Sequence, residues 1–149
     1  MSYVKLIYHI VLRTYRSVPS IVEDHEKELY AYMMGFVKNK NAKLIRIGGM
    51  PDHIHLLVSL PSTITLASFV QELKISANKW MKNSGNFPLF QGWSKEYAAF
   101  SYADKDRDMI ANYIKNQKEH HKKRTFADEY RTFLKENGIA FKEEYFLKD

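Results

Sequence analysis

With 149 residues, 45% of them hydrophobic and 14% aromatic, the chain can bury one compact core, so a single domain over residues 1–149 is expected. The absence of cysteine excludes disulfides and thiolate metal sites and leaves His, carboxylate, amide and water as possible metal donors. Lys and Arg exceed Asp and Glu by 23 to 17, a net +6 that suits a polyanionic partner. No run approaches the roughly 20 apolar residues of a membrane span, and no Gly-rich phosphate loop is present, so a cytoplasmic protein without membrane or nucleotide cofactor is expected.

Residues from about Tyr3 to Thr14 alternate and are rich in β-formers, which predicts a first strand. Tyr8 and His9 interrupt its apolar run and no small-residue cleavage site follows, which argues against a signal peptide. Ser20 is placed to cap a helix through "IVEDHEKELYAYMMGFVKNK". "AKLIRIGGM" and "HIHLLVSL" read as two strands joined by a Gly-Gly-Met-Pro-Asp turn. Leu66, Phe69, Val70, Leu73, Ala77, Trp80 and Met81 keep the spacing of a second helix. "KEYAAFSYA" predicts a fourth strand, followed by a helix from about Asp106 to Lys122 and a last helix, "FADEYRTFLKENG", stopped by Gly138.

This order is that of an α+β, ferredoxin-like β-α-β-β-α-β antiparallel sheet with two additional C-terminal helices. On the third strand Ile54, Leu56, Val58 and Leu60 share one face, which is expected to meet the two crossing helices. His53, His55, Leu57 and Ser59 share the other, expected to be open. Two imidazoles two residues apart on a strand can chelate one divalent cation. In "IANYIKNQKEHH" Tyr113 and Gln117 are one helical turn apart, on a face with Met109 and His120. A tyrosine there also suits a core, but a buried glutamine amide requires a partner, which a metal can be.

The segments "YHIVLRTYR", "MPDHIHLLVSLP", "FQGWSKEYAAFSYA" and "NYIKNQKEHH", in this order and spacing, resemble the single-tyrosine HUH transposases of small bacterial insertion sequences, the insertion sequence 200/605 family. The resemblance runs from Tyr3 to about Phe133. It implies that Tyr113 is the nucleophile, on one of the two added helices, and that His53, His55 and Gln117 hold a divalent metal, Mg or Mn. His120 and His121 take no role from it. Relatives that bind repetitive palindromic DNA usually show Asn-Pro after the tyrosine; Asn116-Gln117 here favours the mobile-element branch.

The implied reaction is cleavage and rejoining of single-stranded DNA with hairpin ends through a 5′-phosphotyrosine. Arg13, Lys74, Lys79 and Lys82, with Lys122, Lys123 and Arg124 as a second group, are the candidate DNA-backbone contacts. The polar connection "SYADKDRD" leaves the tyrosine helix room to swing from its own sheet, and family members can place that helix over the partner's histidine pair, so a homodimer with shared sites is expected. The alternatives are a domesticated relative that binds palindromic DNA and a non-catalytic ferredoxin-like nucleic-acid-binding module. The latter calls for stacking aromatics where the third strand carries histidines and Leu57.

Overall fold

The structure is a computed structural model that describes residues 2–148. Four antiparallel strands, β1 (Ile7–Thr14), β2 (Lys43–Met50), β3 (His53–Ser59) and β4 (Trp93–Tyr102), form one sheet in the order β2-β3-β1-β4. Helices α1 (Glu26–Asn39) and α2 (Leu66–Ser84) cross one face. This is the ferredoxin-like α+β arrangement expected from the element order.

Ile10, Leu12, Ile54, Leu56 and Val58 meet Leu29, Met33 and Val37 of α1 and Phe69, Val70, Leu73, Ala77 and Met81 of α2 in the main core. The alternation of β3 thus sends its fully apolar side to the helices, as its sequence demands. α2 begins where Thr65 Oγ1 accepts the Ser68 amide at 3.2 Å, a cap that stabilises by about 1 kcal/mol. It ends at Gly85, whose φ of 76° suits a residue without Cβ.

Several boundaries depart from the sequence reading. β1 starts at Ile7, and Tyr3 lies outside it, exposed. Ser20 does not cap α1: its hydroxyl donates to Val18 O, its amide is held by Pro51 O, and a short 3-10 turn over Glu23–His25 leads into the helix. The β2–β3 turn is only Pro51–Asp52, because Gly48, Gly49 and Met50 pair with His55, Ile54 and His53.

The expected third helix is broken. α3 (Arg107–Lys115) stops at Asn116, which leaves helical geometry at φ −98°, ψ 24°, and α4 (Gln117–His120) restarts the helix before α5 (Phe126–Glu136). The expected open sheet face is therefore wrong. Ile110 and Ile114 of α3 pack on Ile7 and Leu57, and Phe126 and Leu134 of α5 pack with Val11, Ala98 and Phe100. That face carries too much apolar surface on β1, β3 and β4 to remain in water, and the C-terminal helices remove it.

At one point α3 comes onto β2 without an intervening side chain. A Cβ at Gly48 would lie 2.6 Å from the Ile114 carbonyl oxygen, and one at Gly49 would collide with His53 O. Lys118 ties α4 down by donating to Glu26 Oε2 at 2.9 Å and to Gly49 O at 3.1 Å. Among the described residues no helix is long and apolar enough to cross a membrane.

Candidate active site

β3 presents His53 and His55 on the face that α3, α4 and α5 cover, and both are fully buried rather than looking out over an open face. Each imidazole is fixed from behind. His53 Nδ1 faces Asp52 Oδ1 at 2.7 Å, and His55 Nδ1 faces His9 Nε2 at 2.7 Å. Such partners leave each Nε2 pointing forward, as metal-ligating histidines require.

In front of them, Gln117 Oε1 is 3.1 Å from His53 Nε2, and Glu129 Oε1 is 2.9 Å from His55 Nε2 and 3.5 Å from His53 Nε2. Gln117 Nε2 donates to Glu129 Oε2 at 3.0 Å, and the Tyr113 hydroxyl donates to the same oxygen. His121 Nε2 also reaches Gln117 Oε1 at 3.1 Å. Aromatic surfaces wall the cluster: Phe126 stacks on His53 with centroids 4.1 Å apart, and His120 stacks on Tyr113 at 4.4 Å.

The structure thus brings together the four predicted centre residues, His53, His55, Gln117 and Tyr113, on one chain. Tyr113 lies over the histidine pair of its own subunit, and the "SYADKDRD" connection reduces to the end of β4, Ala103 and one 3-10 turn before α3. His53, His55 and Glu129 offer ligand atoms all within 4.8 Å of one another, a group able to hold a metal ion. Two imidazole nitrogens with carboxylate and amide oxygens form a mixed set suited to a divalent cation.

Electrostatics follow from burial and contact. Burial pulls His53 down, but hydrogen bonds to Asp52 and Glu129 outweigh it and raise its pKa. For His55 burial wins over Glu129 and the pKa falls. His9 is held well below the ordinary value by burial and by His55. Burial disfavours the Glu129 anion, yet hydrogen bonds from His121, His53 and His55 hold it ionised. Tyr113 is pushed up by burial and by Glu129, so its side chain rests as a neutral phenol.

The basic candidates separate by position. Lys122, Lys123 and Arg124 line a cleft of about 510 Å³ with Pro51, Asp52, His121 and Phe126, next to the site. Lys79 and Lys82 are exposed on α2, across the sheet from the histidines, and Lys74 of the same helix donates to Lys95 O at 3.2 Å. Arg13 is 5% exposed, opposite His53 in the β1–β3 ladder, and donates to Ser17 and Ser94.

Four contributors escape a reading of motifs alone: His9, Asp52, His121 and Glu129. For Glu129 a signal exists, since it is an acid on the stripe Phe126, Glu129, Tyr130, Phe133 and Leu134 of an otherwise amphipathic helix. His9 is a polar residue on the inward face of β1, between Ile7 and Val11.

Comparison with known proteins places this geometry. A fold match is found to a protein of Deinococcus radiodurans R1 described as a transposase, with TM-score 0.63 and 25% identity, covering 78% of this chain and 95% of that one. A second match, at TM-score 0.58 and 14% identity over 78% of this chain and 68% of the other, is to a REP-associated tyrosine transposase bound to a REP hairpin. Among curated proteins none matches the sequence. The family described as "Transposase IS200 like" matches residues 2–117, from before β1 through Gln117. With more than half of the chain matched and the sheet common to the solved structures, the protein belongs to the IS200-like transposase family.

Proposed function

We propose that this transposase cleaves and rejoins single-stranded DNA at insertion-sequence ends, with Tyr113 as nucleophile and His53, His55 and Gln117 as ligands of Mg or Mn. One observation carries the reading. The Tyr113 hydroxyl and the donor atoms of His53, His55 and Gln117 meet within a single buried hydrogen-bond cluster.

The bound divalent ion would supply charge stabilisation at a non-bridging phosphate oxygen. Tyr113 supplies the attacking oxygen. A bond forms between the tyrosine oxygen and phosphorus, the phosphorus–O3′ bond breaks, and the 3′ oxygen leaves with a proton as a free hydroxyl. The 5′-phosphotyrosine conserves the energy of the broken ester, so a later attack by a 3′ hydroxyl rejoins strands without a nucleotide cofactor. Tyrosine ordinarily ionises near pH 10, and its raised pKa here means that the Tyr113 proton must be taken as the nucleophile attacks.

Hairpin DNA is the proposed partner. Support comes from the basic cleft at Lys122, Lys123 and Arg124, and from a protein of similar fold that is bound to a REP hairpin. A cytoplasmic homodimer is the proposed working form. The presence of Tyr113 and the histidine pair on one chain favours sites complete within each subunit over sites shared between subunits.

The test is an SDS-resistant adduct between the protein and a single-stranded hairpin oligonucleotide in Mg or Mn. It is expected with the wild type and abolished by Tyr113→Phe while hairpin binding persists. An adduct retained by Tyr113→Phe would assign the nucleophile elsewhere. Co-purified His53→Ala and Tyr113→Phe subunits are expected to stay inactive; recovered cleavage would assign the sites to pairs of chains.

A further inference from the structure

The family match ends at Gln117, yet the acceptor at the centre of the cluster comes from beyond it. Glu129 lies on α5, one turn after Phe126, and is 1% exposed among aromatic residues that cover the sheet. A carboxylate is costly to bury and is retained only where partners compensate. Every partner here except His121 belongs to the proposed centre. One oxygen faces His55 Nε2 at 2.9 Å and His53 Nε2 at 3.5 Å; the other accepts from Gln117 Nε2 at 3.0 Å and from the Tyr113 hydroxyl, with His121 Nε2 at 3.4 Å.

We infer that Glu129 is the anionic ligand of the metal site, and that the same carboxylate positions the Tyr113 hydroxyl beside it. This rests on the metal-dependent reading above. The ligands His53, His55 and Gln117 are all neutral and cancel none of a dication's charge, whereas a carboxylate oxygen adds both negative charge and the hard donor that Mg and Mn favour. The protons that His53 and His55 now direct at Glu129 have an alternative place, because each Nδ1 has a buried partner, Asp52 or His9. With the ring protons on Nδ1, both Nε2 lone pairs and Glu129 Oε1 face one point. The second oxygen remains free to hold Tyr113, which links the nucleophile to the metal through one side chain.

The experiment is calorimetric titration of the full chain with Mn, in wild type and in Glu129→Gln, Glu129→Asp and His53→Ala, with thermal melts in chelator to establish folding. Glu129→Gln keeps the volume and one acceptor oxygen, replaces the other oxygen by an NH2 donor and removes the charge. It is expected to weaken Mn binding at least tenfold and to diminish the Mn-induced rise in melting temperature, with Glu129→Asp recovering part of both. A folded Glu129→Gln protein whose Mn affinity stays within twofold of wild type, while His53→Ala loses it, would overturn the role of Glu129 and leave the metal centre standing. Failure of the wild type itself to bind Mn would overturn both. Faster adduct formation by Glu129→Gln would also overturn the inference, since it would make the carboxylate an obstruction rather than a ligand.

Discussion

His9 and His55 are joined ring to ring, Nε2 to Nδ1 at 2.7 Å, although they stand on different strands and are 46 residues apart. Both rings are fully buried, and among the described residues His9 Nδ1 has no hydrogen-bond partner. With a single proton between the two facing nitrogens, the tautomer of one ring dictates that of the other.

Stability should therefore respond to acid through His9. Its folded pKa is depressed, so the unfolded chain binds the proton first. The contribution is complete above the unfolded value near 6.5 and is lost as pH falls through the folded value. Urea melts of the metal-free protein should show stability falling from pH 7.5 to 5, and His9→Gln should make the fall shallower. An unchanged slope in the variant would remove His9 as the origin.

Replacing both His53 and His55 by Ala should cost fold stability as well as metal binding. On an open sheet face the exchange would be cheap, but here both rings are buried and partner the Glu129 anion. Leaving that charge short of donors should cost about 3 kcal/mol in metal-free denaturant melts. A cost below about 0.5 kcal/mol, the level of an ordinary surface change, would contradict the sealed geometry.

Tyr113 should ionise later than an ordinary tyrosine. Its folded pKa is raised by burial and then by Glu129. Because the fold favours the phenol, this contribution to stability is full below about pH 10 and is lost as pH rises through the folded value. NMR of labelled tyrosine should find the Tyr113 resonance titrating well above an ordinary tyrosine, as Tyr30 beside Glu26 should too, and Glu129→Gln should bring Tyr113 alone down. A Tyr113 titration unmoved by Glu129→Gln would dissociate the two groups.

Hairpin affinity should fall with salt, and the loop beside the site should carry more of that dependence than α2. Lys122 and Lys123 border the cleft next to His121, while Lys79 and Lys82 face solvent across the sheet. Neutralising one phosphate-binding cation should flatten the logarithmic salt slope by about 0.7 for single-stranded DNA. Lys122→Gln with Lys123→Gln should flatten it more than Lys79→Gln with Lys82→Gln. The reverse ranking would move the DNA to the helical face.

The strands, the α1–α2 layer, the shared side of His53 and His55 and the shared helix face of Tyr113 and Gln117 were legible in the sequence, because period-two alternation and helical spacing are local properties. That the two pairs meet, across 64 residues, was implied only by the family resemblance. The cover on the histidine face was not. The ferredoxin-like order accounts for two helices on one face and says nothing of where a C-terminal extension goes. Nor was the break at Asn116 visible, since its residues suit a helix and the amide there is shared between Asn112 O and Tyr113 O. Glu129 escaped for a related reason: its meaning depends on α5 folding back over β3, a contact between residues 74 apart. Ser20 shows the opposite failure, a good capping residue whose hydroxyl is already engaged by the preceding loop.

Gly48 determines how the helix that carries Tyr113 is mounted. Where α3 meets β2, the Ile114 carbonyl occupies space that any Cβ at Gly48 would claim, and Tyr113 is the residue immediately before it in the helix. The clearance between helix and sheet at this point is thus backbone against backbone, with no rotamer to act as a spring. Side chains around the site can relax without raising or lowering the tyrosine, whereas one added methyl group would shim the helix outward and carry the phenol oxygen away from the histidine pair.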